Sequence, residues 1–234
     1  MLSKLIQEIT SKADPQRGKH SQKFFKTGKG QYGEGDFFLG LTVPEQRKIS
    51  KKYFKELSLV DVEELLQNKF HEIRLVGLLI LIEMYKKSKK DKLNQRRIFE
   101  FYLKHTSRIN NWDLVDLSAP SIIGDFCLKY NEDVLGMLAN SKDLWEKRIA
   151  IVSTYAFIKE RKFGETLSIA NVLLKDKHDL IHKAVGWMLR EVGKRNKETL
   201  EIFLQTRYKE MPRTMLRYAI EKFPEQERKK WLKK

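Results

Sequence analysis

The chain has 234 residues, with 47 Lys+Arg against 31 Asp+Glu, so its formal net charge is +16. Hydrophobic residues make up 41% and aromatic residues 11%, enough to build a buried core, which excludes a disordered tail protein. Such an excess of positive charge favours a polyanionic partner, either nucleic acid or an acidic membrane surface.

Cysteine content and apolar runs indicate a soluble, intracellular protein. The single cysteine, Cys127, cannot form an internal disulfide, as expected in a reducing compartment. The longest apolar run, Leu78 to Ile82, is far shorter than the ~20 residues that span a bilayer. The N-terminal segment MLSKLIQEITSK lacks the apolar stretch and cleavage site of a signal peptide. We therefore expect a cytoplasmic protein without a membrane-spanning segment.

The N-terminal part, about residues 1–57, is predicted to form a helical cap with a glycine-rich loop. Its Gly28, Gly30 and Gly33 match G-x-G-x-x-G, a pattern that binds nucleotides only between a strand and a helix. Here SQKFFKT precedes the glycines and an acidic, aromatic segment follows them. We interpret the segment as a flexible loop that carries Tyr32 between helices.

Residues 58–234 are predicted to form helical repeats. Short amphipathic helices, starting near caps such as Ser58 and Asn131, alternate with a second set of helices that resemble one another. Periods near the observed spacing are typical of HEAT-like or armadillo-like hairpins. We predict an all-α solenoid, one domain over residues 1–234, with a concave basic face; an irregular helical bundle is the alternative. The second helices align at four polar positions, separated by 37, 37 and 35 residues: Arg74, Asn111, Arg148 and Lys183.

Equivalent positions on stacked second helices form a row. A row of basic side chains in a concavity would bind a phosphate backbone, although most of the 47 Lys+Arg are expected simply to solvate the surface. The candidates for this row are Arg74, Arg148, Lys183, Arg190 and Lys194.

Trp112 and Asp116 are four residues apart, on one face of a predicted helix. Trp187 falls near the equivalent place two repeats later, with Arg190 one turn beyond it. Together with Arg148, these side chains could gather in the middle of the concavity. The alternative is that both tryptophans are core residues and that Asp116 pairs with a neighbouring lysine.

His178 and His182 share the spacing of some metal ligands, but no nearby cysteine or acidic residue completes a ligand set. We therefore predict no metal site. Cys127, on an apolar helix face, is interpreted as a small buried hydrophobic residue.

Four segments of the chain carry a resemblance to a known family. In order along the chain they are GQYGEGDFFLGLTVPEQR, NNWDLVD with its trailing LSAP, WEKRIAIVS, and IHKAVGWMLREVGK. Together they resemble the AlkD-type DNA alkylation-repair glycosylases, a family of HEAT-like repeats, and the resemblance covers nearly the whole chain. It implies excision of N-alkylated purines, such as 3-methyladenine and 7-methylguanine, by hydrolysis of the N-glycosidic bond, and recognition of the lesion without base flipping.

By position, the resemblance implies that Trp112, Asp116 and Trp187 are active-site residues. Arg148 would support the site and contact DNA, and Arg190 would contact phosphate. The further DNA-contacting candidates are Lys183, Lys194 and Tyr32, the last lying near a DNA-contacting tyrosine of some members.

The residue types suit this chemistry. An alkylated purine is cationic and leaves as a neutral base without a general acid, so a carboxylate that stabilises the sugar cation and orients water is sufficient. Indole faces attract cations by ~0.5–2 kcal/mol each. The resemblance implies that the partner is double-stranded DNA with alkylated bases and not a membrane, bound by a monomer without a cofactor. In a prokaryote it would be associated with the nucleoid. Two alternatives remain: a non-catalytic HEAT-repeat protein that binds branched or distorted nucleic acid, and a protein-interaction scaffold.

Overall fold

The computed structural model describes residues 1–233 of the chain. Contacts divide the chain into two compact units, Met1–Ser118 and Ala119–Lys234. Over the described residues neither unit contains a β-strand, and the one isolated backbone bridge pairs Phe37 with Phe70. The prediction of an all-α chain is confirmed. Within residues 1–233, no helix is both long enough and apolar enough to span a bilayer.

In the first unit, capping residues set where the helices begin. Asp14 accepts backbone hydrogen bonds at the start of α2, where Pro15 occupies the first helical position. Thr42 and Glu45 form a capping box at the start of α3. Ser58 and Asp61 form another at the start of α4, which confirms Ser58 as a helix cap. The helices are α1 (Leu2–Ser11), α2 (Pro15–Phe24), α3 (Val43–Tyr53), α4 (Leu59–Leu66), α5 (His71–Lys87), α6 (Lys92–Lys104) and α7 (Trp112–Ala119), with a 3-10 turn at Thr106–Arg108.

Helix α5 is the centre of the first unit. Every residue from His71 to Ile82 is buried, because α3 and α4 pack against this helix. A helix that is apolar on all sides requires such enclosure, and HEIRLVGLLILIE has that composition. The polar residues at its N-terminus, His71, Glu72 and Arg74, are buried as well and therefore need partners.

The second unit begins with a π-helical turn at Pro120–Gly124. Asn131, expected to cap the next helix, instead ends α8 in the left-handed conformation with φ of 54°, which asparagine tolerates. That expectation was wrong, and the next helix begins at Leu135. The helices are α8 (Asp125–Tyr130), α9 (Leu135–Ala139), α10 (Leu144–Ser153), α11 (Tyr155–Lys159), α12 (Gly164–Val172), α13 (Asp179–Arg195), α14 (Lys197–Arg207), α15 (Arg213–Ala219) and α16 (Glu225–Leu232).

Helix α13 is the centre of the second unit, where it packs against α10, α14 and α15. It approaches α15 closely at Gly186. A Cβ at this position would lie 2.5 Å from both the carbonyl oxygen of Met215 and the Cβ of Tyr218. The glycine therefore fixes the spacing of two neighbouring helices in this unit.

The predicted alternation of first and second helices is present in both units. The first helices are α4, α6, α9, α12 and α14, and the second helices α5, α7, α10, α13 and α15 follow them. That both units belong to one continuous domain with a concave face stays a prediction.

Candidate active site

Trp112 and Asp116 lie one turn apart on α7, and both are half-buried. The backbone N–H of Trp112 donates to Oδ1 of Asn111 at 2.8 Å, so the side chain of the preceding residue satisfies the first N–H group of the helix. Helix α7 therefore holds its indole and its carboxylate at the margin of the first unit rather than deep inside it.

Two phenylalanines, which the sequence analysis missed, contact the Trp112 ring. Phe25 stacks on it with ring centroids 5.1 Å apart, and Phe24 meets it edge to face at 5.9 Å. Phe25 also stacks on Phe38 and is therefore enclosed between rings. Phe24, in contrast, is 59% exposed. The only sign of these contacts in the sequence is the adjacent pair of phenylalanines just before the glycines. Tyr32 is half-buried in the glycine-rich loop, and its role in DNA contact stays a prediction.

A buried network of charged and amide side chains joins the glycine-rich loop to α5 and α7. Asp36, in the loop, accepts hydrogen bonds from Nη2 of Arg74 at 2.6 Å and from Nδ2 of Asn111 at 3.1 Å. Nδ1 of His71 lies 3.2 Å from Asp36, and Nε2 lies 2.8 Å from Asp113. The side chains next to Trp112 in the sequence, Asn111 and Asp113, thus belong to one network.

The surroundings of His71 make it a buried cation. Burial alone would lower the pKa of His71, but the charge of Asp113 and the hydrogen bonds to Asp113 and Asp36 outweigh it and raise the pKa to about 9. Burial would raise the pKa of Asp36, but the hydrogen bond from His71 and the charge of Arg74 hold it below its usual value. Two cations therefore balance two carboxylates inside the first unit.

The end of the glycine-rich loop is fixed by Glu72, the residue that follows His71 on α5. Its carboxylate accepts hydrogen bonds from the backbone N–H groups of Leu39 at 2.9 Å and Gly40 at 2.7 Å. Gly40 has φ of 89°, and a Cβ there would lie 2.3 Å from the carbonyl oxygen of Asp14. The loop is therefore tied to α5 on one side and to the start of α2 on the other.

The two carboxylates of α7 have different surroundings. Asp113 is buried against His71, and its Oδ1 also accepts from the backbone N–H of Leu114. Asp116 is only half-buried and lies near the buried Tyr102, whose pKa is raised by burial and by the charge of Asp116. Asp113 is thus committed to the network, whereas Asp116 is the acidic residue of α7 with access to solvent.

In the second unit, α13 places Trp187 in line with three basic residues. Trp187 is half-buried, with its ring centroid 6.4 Å from that of Tyr155. Spacings of three and four residues put the basic side chains on the same side of α13 as Trp187. They are Lys183, Arg190 and Lys194.

Each of these three basic residues has an acidic partner. The Nζ of Lys183 lies 2.6 Å from Asp179, and the Nζ of Lys194 lies 2.6 Å from Glu191. Arg190 pairs with Glu221. The carboxylates of Asp179 and Glu221 are exposed, so a phosphate could replace them at small cost, whereas Glu191 is buried.

Arg74 and Arg148 are buried, so this part of the expected basic row does not lie on the surface. The guanidinium of Arg148 donates from Nη1 to the carbonyl oxygen of Leu180 at 2.7 Å. Arg74 donates to the carbonyl oxygen of Asn68 at 3.2 Å, besides its bond to Asp36. The two arginines at this repeat position bond to carbonyl groups, whereas Lys183 at the same position pairs with Asp179, and a sequence pattern cannot distinguish the two cases.

The two histidines of the second unit have local roles. The side chain of His178 accepts from the backbone N–H of Leu180 at the start of α13, and Nε2 of His182 lies 2.5 Å from the carbonyl oxygen of Asp176. No cluster of three or more His, Cys, Asp or Glu that could bind a metal is found in residues 1–233. Cys127 is buried, as predicted, and burial raises its pKa to about 12.

Comparison with known proteins identifies the family. The model of the family described as "DNA alkylation repair enzyme" matches residues 5–223. The chain therefore belongs to the DNA alkylation repair enzyme family, as the resemblance in the sequence predicted. No match is found among curated proteins.

Solved structures share the fold. A predicted DNA alkylation repair enzyme from Enterococcus faecalis is similar with a TM-score of 0.70 and 16% identity, over 91% of this chain and 97% of that one. AlkD2 from Streptococcus mutans is similar with a TM-score of 0.58 and 17% identity, over 90% and 99% of the two chains. The protein smu.31 from Streptococcus mutans UA159 has a TM-score of 0.56 and 17% identity, over 76% and 89%. These similarities confirm a helical-repeat fold.

Proposed function

We propose that the protein is a DNA glycosylase that releases cationic N-alkylated purines, of the 3-methyladenine and 7-methylguanine type, from double-stranded DNA. It does so by hydrolysing the N-glycosidic bond. The observation that carries this proposal is the half-buried pair of Trp112 and Asp116 on α7, in a chain that belongs to an alkylation-repair family. A solvent-accessible indole one turn from a solvent-accessible carboxylate suits a cationic leaving base and a cationic sugar.

Asp116 is assigned to the reacting sugar. As the positively charged base departs, the sugar gains oxocarbenium character, and the charge of Asp116 stabilises it while the same carboxylate orients the attacking water. Because the base leaves neutral, no general acid is required. Asp113 cannot serve in its place, since its carboxylate is buried against His71.

Trp112 is assigned to holding the sugar and the lesion. Its ring is held by Phe25, and the network of Asp36, His71 and Asp113 holds the first turn of α7. A fixed ring loses little entropy when a nucleotide stacks against it. Holding the lesion in this way does not require the base to enter a closed pocket, consistent with recognition without base flipping.

The second unit is assigned to DNA binding. Trp187 provides a second indole, and Lys183, Arg190 and Lys194 on the same helix contact phosphates. Arg148 is assigned a supporting role, because it is buried and holds α10 to the start of α13 through Leu180.

The test is base release by the Asp116→Asn variant. Under single-turnover conditions with DNA containing 7-methylguanine, we expect release to fall at least ~100-fold, because the charge that stabilises the sugar cation is removed. DNA affinity should stay equal or increase slightly, because a negative charge is lost near phosphates. Released bases are measured by chromatography, and affinity by fluorescence anisotropy.

The matched control is Asp125→Asn, which removes one carboxylate that pairs with Lys129 on the second unit. It should leave base release unchanged. Equal release by Asp116→Asn and by the unaltered protein would refute the catalytic assignment. Binding without release by the unaltered protein would instead favour a non-catalytic protein that recognises distorted DNA.

A further inference from the structure

The segment between Asp14 and Glu34 contains no acidic residue, the longest such stretch in the chain. It comprises α2 and the first half of the glycine-rich loop. Five of its residues are Lys or Arg, in a protein where acidic residues are otherwise frequent. The basic residues are Arg17, Lys19, Lys23, Lys26 and Lys29.

The four lysines of this segment form an exposed surface without acidic partners, here called the α2 surface: Lys19, Lys23, Lys26 and Lys29. All four are exposed, and none forms an ion pair with another described residue. By contrast, Arg17 pairs with Asp14, and Lys52 pairs with Glu8. Cations grouped without counter-charges repel one another, and a polyanion would relieve this repulsion.

The backbone keeps the α2 surface in a defined shape. Lys26 has φ of 52°, and its carbonyl oxygen accepts from the N–H of Gly33 at 3.2 Å. The N–H of Gly30 donates to Glu34 at 2.7 Å. Lys19 and Lys23 are one helical turn apart, ~6 Å between their Cβ atoms, and so lie on one face of α2.

The α2 surface is continuous with the candidate active site. Phe24, between Lys23 and Lys26 in the sequence, is largely exposed and touches the edge of Trp112. A strand that lies along α2 would therefore reach the indole assigned to the lesion.

We propose that the α2 surface binds the phosphate backbone of duplex DNA next to the nucleotide held by Trp112. This inference rests on the proposed function for the position of the lesion. The occupant is DNA rather than an acidic protein, because these unpaired lysines lie beside the exposed ring of Phe24, which can stack on a sugar or base.

The experiment compares two triple variants with the same loss of charge. The first is Lys19→Gln, Lys23→Gln and Lys29→Gln; Lys26 is kept so that the residue in the left-handed conformation is left unchanged. The control is Lys87→Gln, Lys89→Gln and Lys90→Gln, a set that is likewise exposed and without ion pairs in the described chain. Lys87 lies sixteen residues along α5 from His71, ~24 Å away by helical rise.

Binding to unmodified duplex DNA is measured by anisotropy between ~50 and ~200 mM KCl. Each lost phosphate contact should reduce the slope of log affinity against log salt by about 0.9, so the α2 triple variant should lose two to three in slope and roughly tenfold in affinity. The control variant should keep the slope of the unaltered protein. Equal slopes for both variants would overturn the proposal. It would also be overturned if polyglutamate displaced the labelled DNA as well as unlabelled DNA does.

This readout is independent of base release. If Asp116→Asn left base release intact while the α2 triple variant lost DNA affinity, the catalytic proposal would fail and the α2 surface would stand. If the α2 triple variant bound DNA normally while Asp116→Asn abolished release, the proposal for the α2 surface would fail and the catalytic proposal would stand.

Discussion

His71 is surrounded by charges that depend on one another. Asp36 and Asp113 face its two ring nitrogens, and Arg74 shares Asp36. Removing one member of a buried ion pair costs about 3–5 kcal/mol, because the remaining charge loses its partner. At the residue scale, the stability of the first unit therefore depends on the protonation of a single imidazole.

The pH dependence follows from the direction of each pKa shift. The pKa of His71 is raised from 6.5 to about 9, so the stability that it contributes is complete below pH 6.5 and is lost as pH rises through about 9. The pKa of Asp36 is lowered in the folded protein. The stability that Asp36 contributes is therefore present at pH values above the usual pKa of an aspartate and is lost as pH falls through the lowered pKa.

We predict that His71→Gln lowers the free energy of unfolding by about 3–5 kcal/mol at pH 6.5, because Asp113 then faces no cation and Asp36 keeps only Arg74. The difference from the unaltered protein should shrink as pH rises through 9, where native His71 loses its proton. Urea unfolding at several pH values measures it. His20→Gln, at an exposed site on α2, is the control and should have little effect. A difference that stayed constant over this range would contradict a charged His71.

Sequence reasoning found Trp112 and Asp116 because their relation is local, one helical turn. It could not assign Asp113 or Asp36, since their partner His71 is 42 and 35 residues away in the chain. Such pairings depend on how α5 meets the loop and α7, and no periodicity in the sequence records that.

At the scale of elements, the predicted helical repeat is correct, but two of its aligned basic residues stabilise the fold and do not lie on the surface. Arg74 and Arg148 occur at equivalent places in two second helices, and each bonds to backbone carbonyl groups of its own unit. The spacing of amphipathic helices followed from hydrophobic periodicity. Which basic residue of a helix is buried depends on neighbouring helix ends, so the sequence could not separate Arg148 from Lys183 or Arg190.

We predict that Gly186→Ala lowers the free energy of unfolding by about 1–3 kcal/mol, because the new methyl group would overlap Met215 and Tyr218 and force α13 and α15 apart. Thermal or urea unfolding measures this. Gly164→Ala is the matched control, because a Cβ there meets nothing within 4 Å, and it should be neutral or slightly stabilising. Equal stability of the two variants would show that α13 and α15 tolerate a wider spacing.

At the scale of the whole molecule, the positive charge is divided evenly. Residues 1–118 contain 23 Lys+Arg and 15 Asp+Glu, and residues 119–234 contain 24 and 16, so each part carries +8. The charge is therefore not confined to a basic tail, and both units can contribute to attraction of a polyanion.

We predict that affinity for duplex DNA falls steeply with salt, with a slope of log affinity against log salt approaching about −6 if the four α2 surface lysines and Lys183, Arg190 and Lys194 contribute one contact each. Anisotropy titrations over a range of KCl concentrations measure it. Polyglutamate of similar charge is the competitor control and should displace DNA poorly. A slope near zero would favour the protein-interaction scaffold over any nucleic-acid function.

The network around His71 also constrains how the sequence can vary over evolutionary time. Its members come from the loop, from α5 and from the start of α7, and each neutralises or orients another. A lineage that lost one of them would retain an uncompensated charge in its interior until a second change repaired it. These positions should therefore be inherited as a set, with viable replacements arising in combination rather than singly.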